Sequence, residues 1–346
     1  MSRPLYKPRD GKVCSRGWLF MGLNGGPCDR KCEFCYYAHQ KEYAFFDLPT
    51  MIRNANIQRH YYGLTATDIS GGEPTIYPDI VPLVEHCHAI GLEPTIITHG
   101  QNLAKNNLAE KIEEAGLADW LISLHGGDEK THDKILCRKG SWDALWEGVE
   151  STGVPLRWNC TVCKTNVDAL PHTVLLEREM EPTVMNFIMF NPFHDWSGKE
   201  RIEFQVQYDE AGPRIAEAVQ ALEAKGWEVN VRYWPYCNAK KHGFARNVSG
   251  YYNVAYDPWE WRLACTNNVQ VEVVEKMGLE QSERAIADKL MAPRMNDVCK
   301  GCRYAAICDK PPEQYQKRYG LKELASEKGE PVSDVLHFQR EDADGK

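Results

Sequence analysis

The chain has 346 residues, of which 43% are hydrophobic and 26% charged, with 13 cysteines and a net charge of −8. That is the composition of a globular protein with one large and one smaller folding unit. The charge argues against a general binder of nucleic acid or anionic membrane, and no apolar run reaches the roughly 18–20 residues that span a bilayer. An odd number of cysteines, several close in sequence, makes a poor disulfide framework, so metal ligation in a reducing cytoplasm is the expectation. The N-terminus, MSRPLYKPRDGK, has no apolar stretch of a secretory signal. There is no internal repeat and no low-complexity tract.

In chain order, residues 16–24 read as a first strand, broken by Gly25-Gly26-Pro27. Residues 28–35, CDRKCEFC, form a cysteine loop. A helix follows over 47–62, with Asp47 or Thr50 near its start. Strands are then expected at 66–70, 94–99, 119–125, 155–164 and 183–190, and helices at 78–91, 103–116, 141–152 and 168–179. Six strands separated by helices at intervals of about 30 residues point to βα units and a parallel α/β sheet, open or curled. After the sixth strand come an amphipathic helix (209–226) and a strand (228–236). Residues 237–310 are cysteine- and aromatic-rich with little periodicity. The tail, 311–346, is charged and Pro-containing and expected to wrap the surface or to be partly loose.

Cys28, Cys32 and Cys35 carry the sharpest signal. Thiolates are the usual ligands of iron–sulfur clusters, and a [4Fe–4S] cube takes four. A loop with three leaves one iron open to bind and activate something else, as an open catalytic metal site does. Zinc, which prefers four ligands, is the competing reading. The CxxxCxxC spacing with aromatic Phe34 before the third cysteine resembles the radical S-adenosylmethionine (SAM) enzymes. That resemblance implies a partial (β/α)6 TIM-like barrel with SAM at the C-terminal strand ends. It implies SAM chelated to the open iron and cleaved reductively to a 5′-deoxyadenosyl radical that abstracts hydrogen from a substrate. A flavodoxin or ferredoxin would supply the electron.

Further motifs extend the resemblance. Gly71-Gly72-Glu73 follows the second strand, where the family's GGE motif holds the SAM amino group; a Gly-Gly turn ending a strand is the plainer alternative. Ser123 and His125 end the fourth strand, and Asn159 lies on the fifth, with Arg157 beside it. The resemblance gives Ser123 and Asn159 the SAM carboxylate and ribose, and His125 is a candidate acid or base. Cys137 is a candidate hydrogen-atom donor. Cys160 and Cys163 lie three apart in a predicted strand, so they face opposite ways and read as buried apolar residues, as do Cys87 and Cys14.

Cys299, Cys302 and Cys308 have the spacing CxxCxxxxxC, with Cys237 and Cys265 upstream. A zinc knuckle is one reading. The spacing also resembles the auxiliary-cluster SPASM and Twitch domains of radical SAM enzymes. With no cysteine after Cys308, one auxiliary [4Fe–4S] cluster is expected on Cys237, Cys299, Cys302 and Cys308, with Cys265 as a substitute. The expected division is a core at 1–205, a connector at 206–235, a Twitch-like domain at 236–310 and a tail at 311–346. The aromatic stretches 187–196, 232–237 and 251–261 are expected to pack a small domain on the barrel or line a substrate channel. Only 27 residues precede Cys28. That favours a small polar metabolite, such as a sugar or nucleoside derivative, over the alternative of a peptide recognised through an N-terminal leader-binding domain. A structural zinc or iron–sulfur protein without turnover is the reading from another class.

Overall fold

The computed structural model describes residues 15–23, 25–35, 37–39, 42–190, 199–257 and 278–341. Eight parallel strands form one curled sheet: β1 (Arg16–Phe20), β2 (Ala66–Ser70), β3 (Glu93–Thr98), β4 (Asp119–Ser123), β5 (Leu156–Val162), β6 (Val184–Met189), β7 (Glu228–Arg232) and β8 (Val248–Ser249). Each pairs with its neighbour in sequence. This is the open, TIM-like half-barrel expected of the chain. A two-residue ribbon, Gly22–Leu23 with Ala44–Phe45, frames the loop after β1.

Alternate residues separate the two faces of the sheet. Leu19, Ile69, Ile96, Trp120, Ile122, Trp158, Met185 and Phe187 face outward and are almost fully buried. They meet Met51 on α1 (Leu48–Asn56), Leu83 and Val84 on α2 (Ile80–Ala89), and, beyond α3 (Leu108–Glu114) and α4 (Glu129–Ile135), Leu145 and Trp146 on α5 (Ser141–Glu150). Ile215 and Leu222 reach the same core from α7 (Tyr208–Glu223), which follows α6 (His172–Glu177). Asp47 caps α1, accepting from the Thr50 N–H at 3.0 Å.

Inward-facing charges close the N-terminal end of the barrel. Arg16 Nη1 donates to Asp68 Oδ1 at 2.7 Å, and Arg157 Nε to Asp119 Oδ2 at 3.1 Å, with Arg157 Nη2 3.3 Å from Asp68. All four are buried, so each charge depends on its partners; removing one would cost about 3–5 kcal/mol. Arg157 is thereby committed to the barrel floor and withdrawn from the SAM-binding role considered for it.

Several expected elements differ. The helix expected at 103–116 forms only over Leu108–Glu114, because Asn106 and Asn107 take left-handed φ of 54° and 55°. That expected at 168–179 shortens to His172–Glu177, and α4 was not anticipated. The sheet also runs past its sixth strand. Residues 228–232 add β7 beside β6, and β8 extends the edge, so the strand assigned to the connector belongs to the barrel sheet. Among the described residues of 236–310 lie α8 (Tyr236–His242) and α9 (Leu279–Met291). The tail holds α10 (Glu313–Tyr319) and α11 (His337–Glu341), and it is anchored: Tyr315, Leu336 and Phe338 are buried, Phe338 against Tyr236 and Tyr304.

Candidate active site

The loop bearing Cys28, Cys32 and Cys35 leaves the C-terminal end of β1 and is braced on both sides. Toward α4, the Glu33 N–H donates to Ile135 O at 2.9 Å. Toward β3, His99 Nε2 lies 2.8 Å from Asp29 Oδ1, and Arg30 Nε donates to Gln101 Oε1 at 2.6 Å. The Gln101 N–H donates to His99 Nδ1, so His99 carries its proton on Nε2 and donates it to Asp29. The three thiols are free and half-buried. Burial, followed by the Glu73 and Cys35 charges, pushes the Cys28 thiol up to about 12. Burial also raises Cys32, with Cys35, Cys28 and Cys137 adding to it, and Cys35 rises through burial. Clustered thiols that resist ionisation alone suit a cationic cluster, which pulls the thiolates down.

Gly71 and Gly72 press this loop from the second strand. Both have positive φ (102° and 60°), and a Cβ on Gly72 would come 2.1 Å from Pro27 O. The Glu73 N–H donates to Pro27 O at 2.9 Å. The pair thus serves close backbone packing beside Cys28. The Glu73 carboxylate is 2% exposed. Its Oε1 accepts from the Thr75 N–H and hydroxyl and the Thr98 hydroxyl, and its Oε2 from the His99 N–H. Three of those donors meet Oε1 and one meets Oε2. Glu73 thereby braces the strand ends of β2 and β3 beside the cysteine loop.

Ser123 and Asn159 are register partners on β4 and β5, both half-buried on the inner face. The row continues through Asn186 and Asn230. Asn230 Nδ2 and Arg232 Nη2 donate to Asn186 Oδ1, and Arg232 also pairs with Asp257 at 2.8 Å. Phe34 packs edge-on to His125, with ring centroids 5.0 Å apart, and near Phe190 at 6.2 Å. Burial lowers His125 to about 3, with the neighbouring His132 adding to it. Its Nδ1 accepts from the Thr161 N–H at 3.2 Å. Cys137 is exposed, at φ 53°, near enough to Cys32 to raise that thiol. It sits beside the cysteine loop, at the site's margin. Cys160, Cys163 and Cys87 are fully buried, as expected of packing residues.

A second set forms 200 residues on. Cys237 on α8 joins Cys299, Cys302 and Cys308 around a cavity of about 370 Å³, open mouth included, with Tyr236, Tyr304 and Lys310. Burial, then Cys237, pushes Cys308 up to about 12; burial, then Cys308, raises Cys299 to about 11. The same donor chemistry therefore recurs. Cys265 and Cys14 lie outside the described residues. So do residues 191–196 and 258–261 of the aromatic stretches, whereas Trp234 and Tyr236 are packed in the core.

Sequence reasoning missed Asp29, His99, Gln101 and Asn102. Their signal was the polar run His99–Asn102 directly after a buried strand, at the rim where parallel sheets place ligands.

Residues 26–155 match the model of the Radical SAM superfamily. That stretch is a radical SAM domain. Its cofactors are accordingly a [4Fe–4S] cluster and SAM. Two curated relatives are the Fe-coproporphyrin III synthase of Methanosarcina barkeri, 30% identical over 213 residues (59% of this chain, 52% of the relative), and the PqqA peptide cyclase of Ruegeria pomeroyi, 30% identical over 166 residues (46% and 44%). The chain spans about half the length of these relatives. Among solved structures, Streptococcus suis SuiB bound to S-adenosylmethionine superposes with a TM-score of 0.60 at 15% identity, over 91% of this chain and 76% of that one. Native anSMEcpe with bound AdoMet gives 0.56 at 15% identity, over 95% and 96%. At such identities the likeness is one of fold. Among the described residues no helix is long and apolar enough to cross a membrane.

Proposed function

We propose that the chain is a radical SAM enzyme that modifies a peptide or protein side chain. The observation that carries the chemistry is the loop of Cys28, Cys32 and Cys35 at the C-terminal mouth of the half-barrel, pressed against the backbone of Gly71 and Gly72. These cysteines would hold the catalytic cluster, which when bound supplies the electron that cleaves SAM to a hydrogen-abstracting 5′-deoxyadenosyl radical. Asp29, Arg30 and His99 fix the loop. Ser123 and Asn159 offer a hydroxyl and a carboxamide to polar groups of SAM. The Arg16–Asp68–Arg157–Asp119 layer closes the barrel floor. Cys237, Cys299, Cys302 and Cys308 would hold one auxiliary [4Fe–4S] cluster in the unit at 236–310, giving electrons an outlet, and a flavodoxin or ferredoxin would be the donor.

The small polar metabolite expected from the sequence gives way here to a peptide. The support is that the relatives include PqqA peptide cyclases from several organisms. A nucleotide substrate is the second reading, favoured by the GTP 3′,8-cyclase of Microcystis aeruginosa, 27% identical over 134 residues, 36% of this chain. The test is anaerobic incubation of reconstituted protein with SAM, reductant, and either a mixture of short peptides or a panel of nucleotides and sugars. The proposal expects peptide mass changes that rise in step with 5′-deoxyadenosine. Consumption of a nucleotide or sugar with no peptide change would reverse the substrate assignment.

A further inference from the structure

Lys310 lies two residues past Cys308 and is 2% exposed. A lysine so deeply buried is ordinarily held by a carboxylate. Here its Nζ donates instead to the carbonyl oxygens of Ala305 at 2.6 Å and Cys308 at 2.9 Å, so neither partner cancels the charge. To fold the ammonium back over the loop, the backbone takes φ 51°, a left-handed conformation disfavoured for any residue with a Cβ. Lys310 lines the same cavity as Cys237, Cys299, Cys302 and Cys308, and among the described residues of that lining it is the one Lys, Arg, Asp or Glu. The adjacent carboxylate is turned elsewhere. Asp309 accepts the Tyr251 N–H at 2.9 and 3.1 Å on its two oxygens, where Gly250 leaves room for it.

A [4Fe–4S] cluster on four thiolates is anionic, and reduction adds one more negative charge. A fixed positive charge beside it therefore stabilises the reduced form more than the oxidised one. The thiols already register that charge. Burial, then the neighbouring cysteine, raises Cys299 and Cys308, and Lys310 acts against the rise at both. We infer that the Lys310 ammonium raises the reduction potential of the auxiliary cluster and so makes it a better one-electron acceptor. The inference rests on the proposed ligand set of Cys237, Cys299, Cys302 and Cys308, and it deepens the reading of that cluster as an electron outlet. Lys310 acts through the cluster, as a positioned charge that touches no substrate. A lysine that merely capped the Ala305 and Cys308 carbonyls would leave the potential where it is.

The test is a potentiometric titration of the reconstituted full chain, followed by electron paramagnetic resonance. The Cys28→Ala chain, which keeps the auxiliary set alone, identifies the auxiliary signal. Lys310→Gln keeps a donor for the two carbonyls and removes the charge. At a fixed potential its ratio of reduced to oxidised auxiliary cluster should fall about tenfold, a midpoint lower by about 59 mV for one electron. Lys310→Arg should keep the wild-type midpoint. Lys310→Met repeats the measurement if Lys310→Gln does not load. An unshifted midpoint in a neutral variant that carries its iron, or a shift in Lys310→Arg as large as in the neutral variants, overturns the inference and leaves the auxiliary cluster standing. So does loss of the auxiliary iron in both neutral variants, which would make Lys310 a cap of the loop. A wild-type chain with only about four irons, all lost on Cys28→Ala, overturns the ligand set and the inference together.

Discussion

Asp29, the residue after the first cysteine of the loop, accepts a hydrogen bond from His99 Nε2 at 2.8 Å across 70 positions of chain. His99 in turn offers its backbone N–H to Glu73. One histidine thus joins the cysteine loop after β1 to the strand ends of β2 and β3. His99→Ala should leave the sheet intact and loosen the loop. We expect a loss of about 1–3 kcal/mol in unfolding free energy, the range for a hydrogen bond to a charged group and the buried acceptor it leaves. Iron retained after reconstitution should fall. Urea unfolding and iron analysis check both; unchanged iron would mean that the loop is held elsewhere.

Gly72→Ala should be more damaging than its size suggests. The added methyl would meet Pro27 O at 2.1 Å with φ at +60°, whereas at Gly140, with φ +79°, a Cβ would meet nothing within 4 Å. Gly140→Ala should cost about 1–2 kcal/mol from backbone strain alone and keep full iron content. Gly72→Ala should cost more and lose iron from the catalytic loop. Equal iron content in the two variants would contradict the packing argument.

The two cysteine sets should be separable by iron counting. A chain with two four-iron clusters carries about eight irons. Cys28→Ala and Cys308→Ala should each fall to about four, and Cys28→Ala alone should abolish SAM cleavage, since the loop then lacks a ligand. Cys160→Ala, which alters a fully buried packing residue, should keep all of the iron. Loss of iron on Cys160→Ala would require a different ligand set.

Much of this arrangement was legible in the sequence, and the exceptions have physical reasons. Apolar runs such as ATDIS and PTIITH mark β2 and β3 because a parallel strand is buried on both faces. The cysteine spacings announce themselves because ligands in a short loop are constrained by sequence distance. Glu228–Arg232 was harder to place: its inward residues Asn230 and Arg232 are polar because they face the lumen, and nothing local says which sheet it joins. Asn106 and Asn107 delay the start of a helix to Leu108 through left-handed backbone that apolar periodicity does not register. The His99–Asp29 contact and the binding of Arg157 to Asp119 across 38 residues are tertiary, so no window of sequence displays them. The bracing of Glu73 belongs to the same group: the motif names the residue, and only the fold shows who its donors are.

Acid should destabilise the fold through two buried histidines. Burial lowers His125 to about 3 and His132 to about 4, below the ordinary value near 6.5. As pH falls below 6.5 the unfolded chain takes up protons that the folded chain refuses. Stability from these groups is therefore complete above about pH 6.5 and is lost as pH drops toward 4 and 3, by at most about 1.4 kcal/mol per pH unit for each group. Urea midpoints should decline from pH 7 to 5, and His125→Phe should flatten that decline. An identical slope in the variant would show that His125 does not contribute.

The most direct test of the central claim is 5′-deoxyadenosine formed from SAM by anaerobically reconstituted protein under a strong reductant, for wild type and Cys32→Ala. Formation by wild type and its loss in the variant is the predicted result. No formation by a wild-type chain that carries its full iron, or equal formation by Cys32→Ala, would contradict the assignment of Cys28, Cys32 and Cys35 as the centre of a radical SAM enzyme.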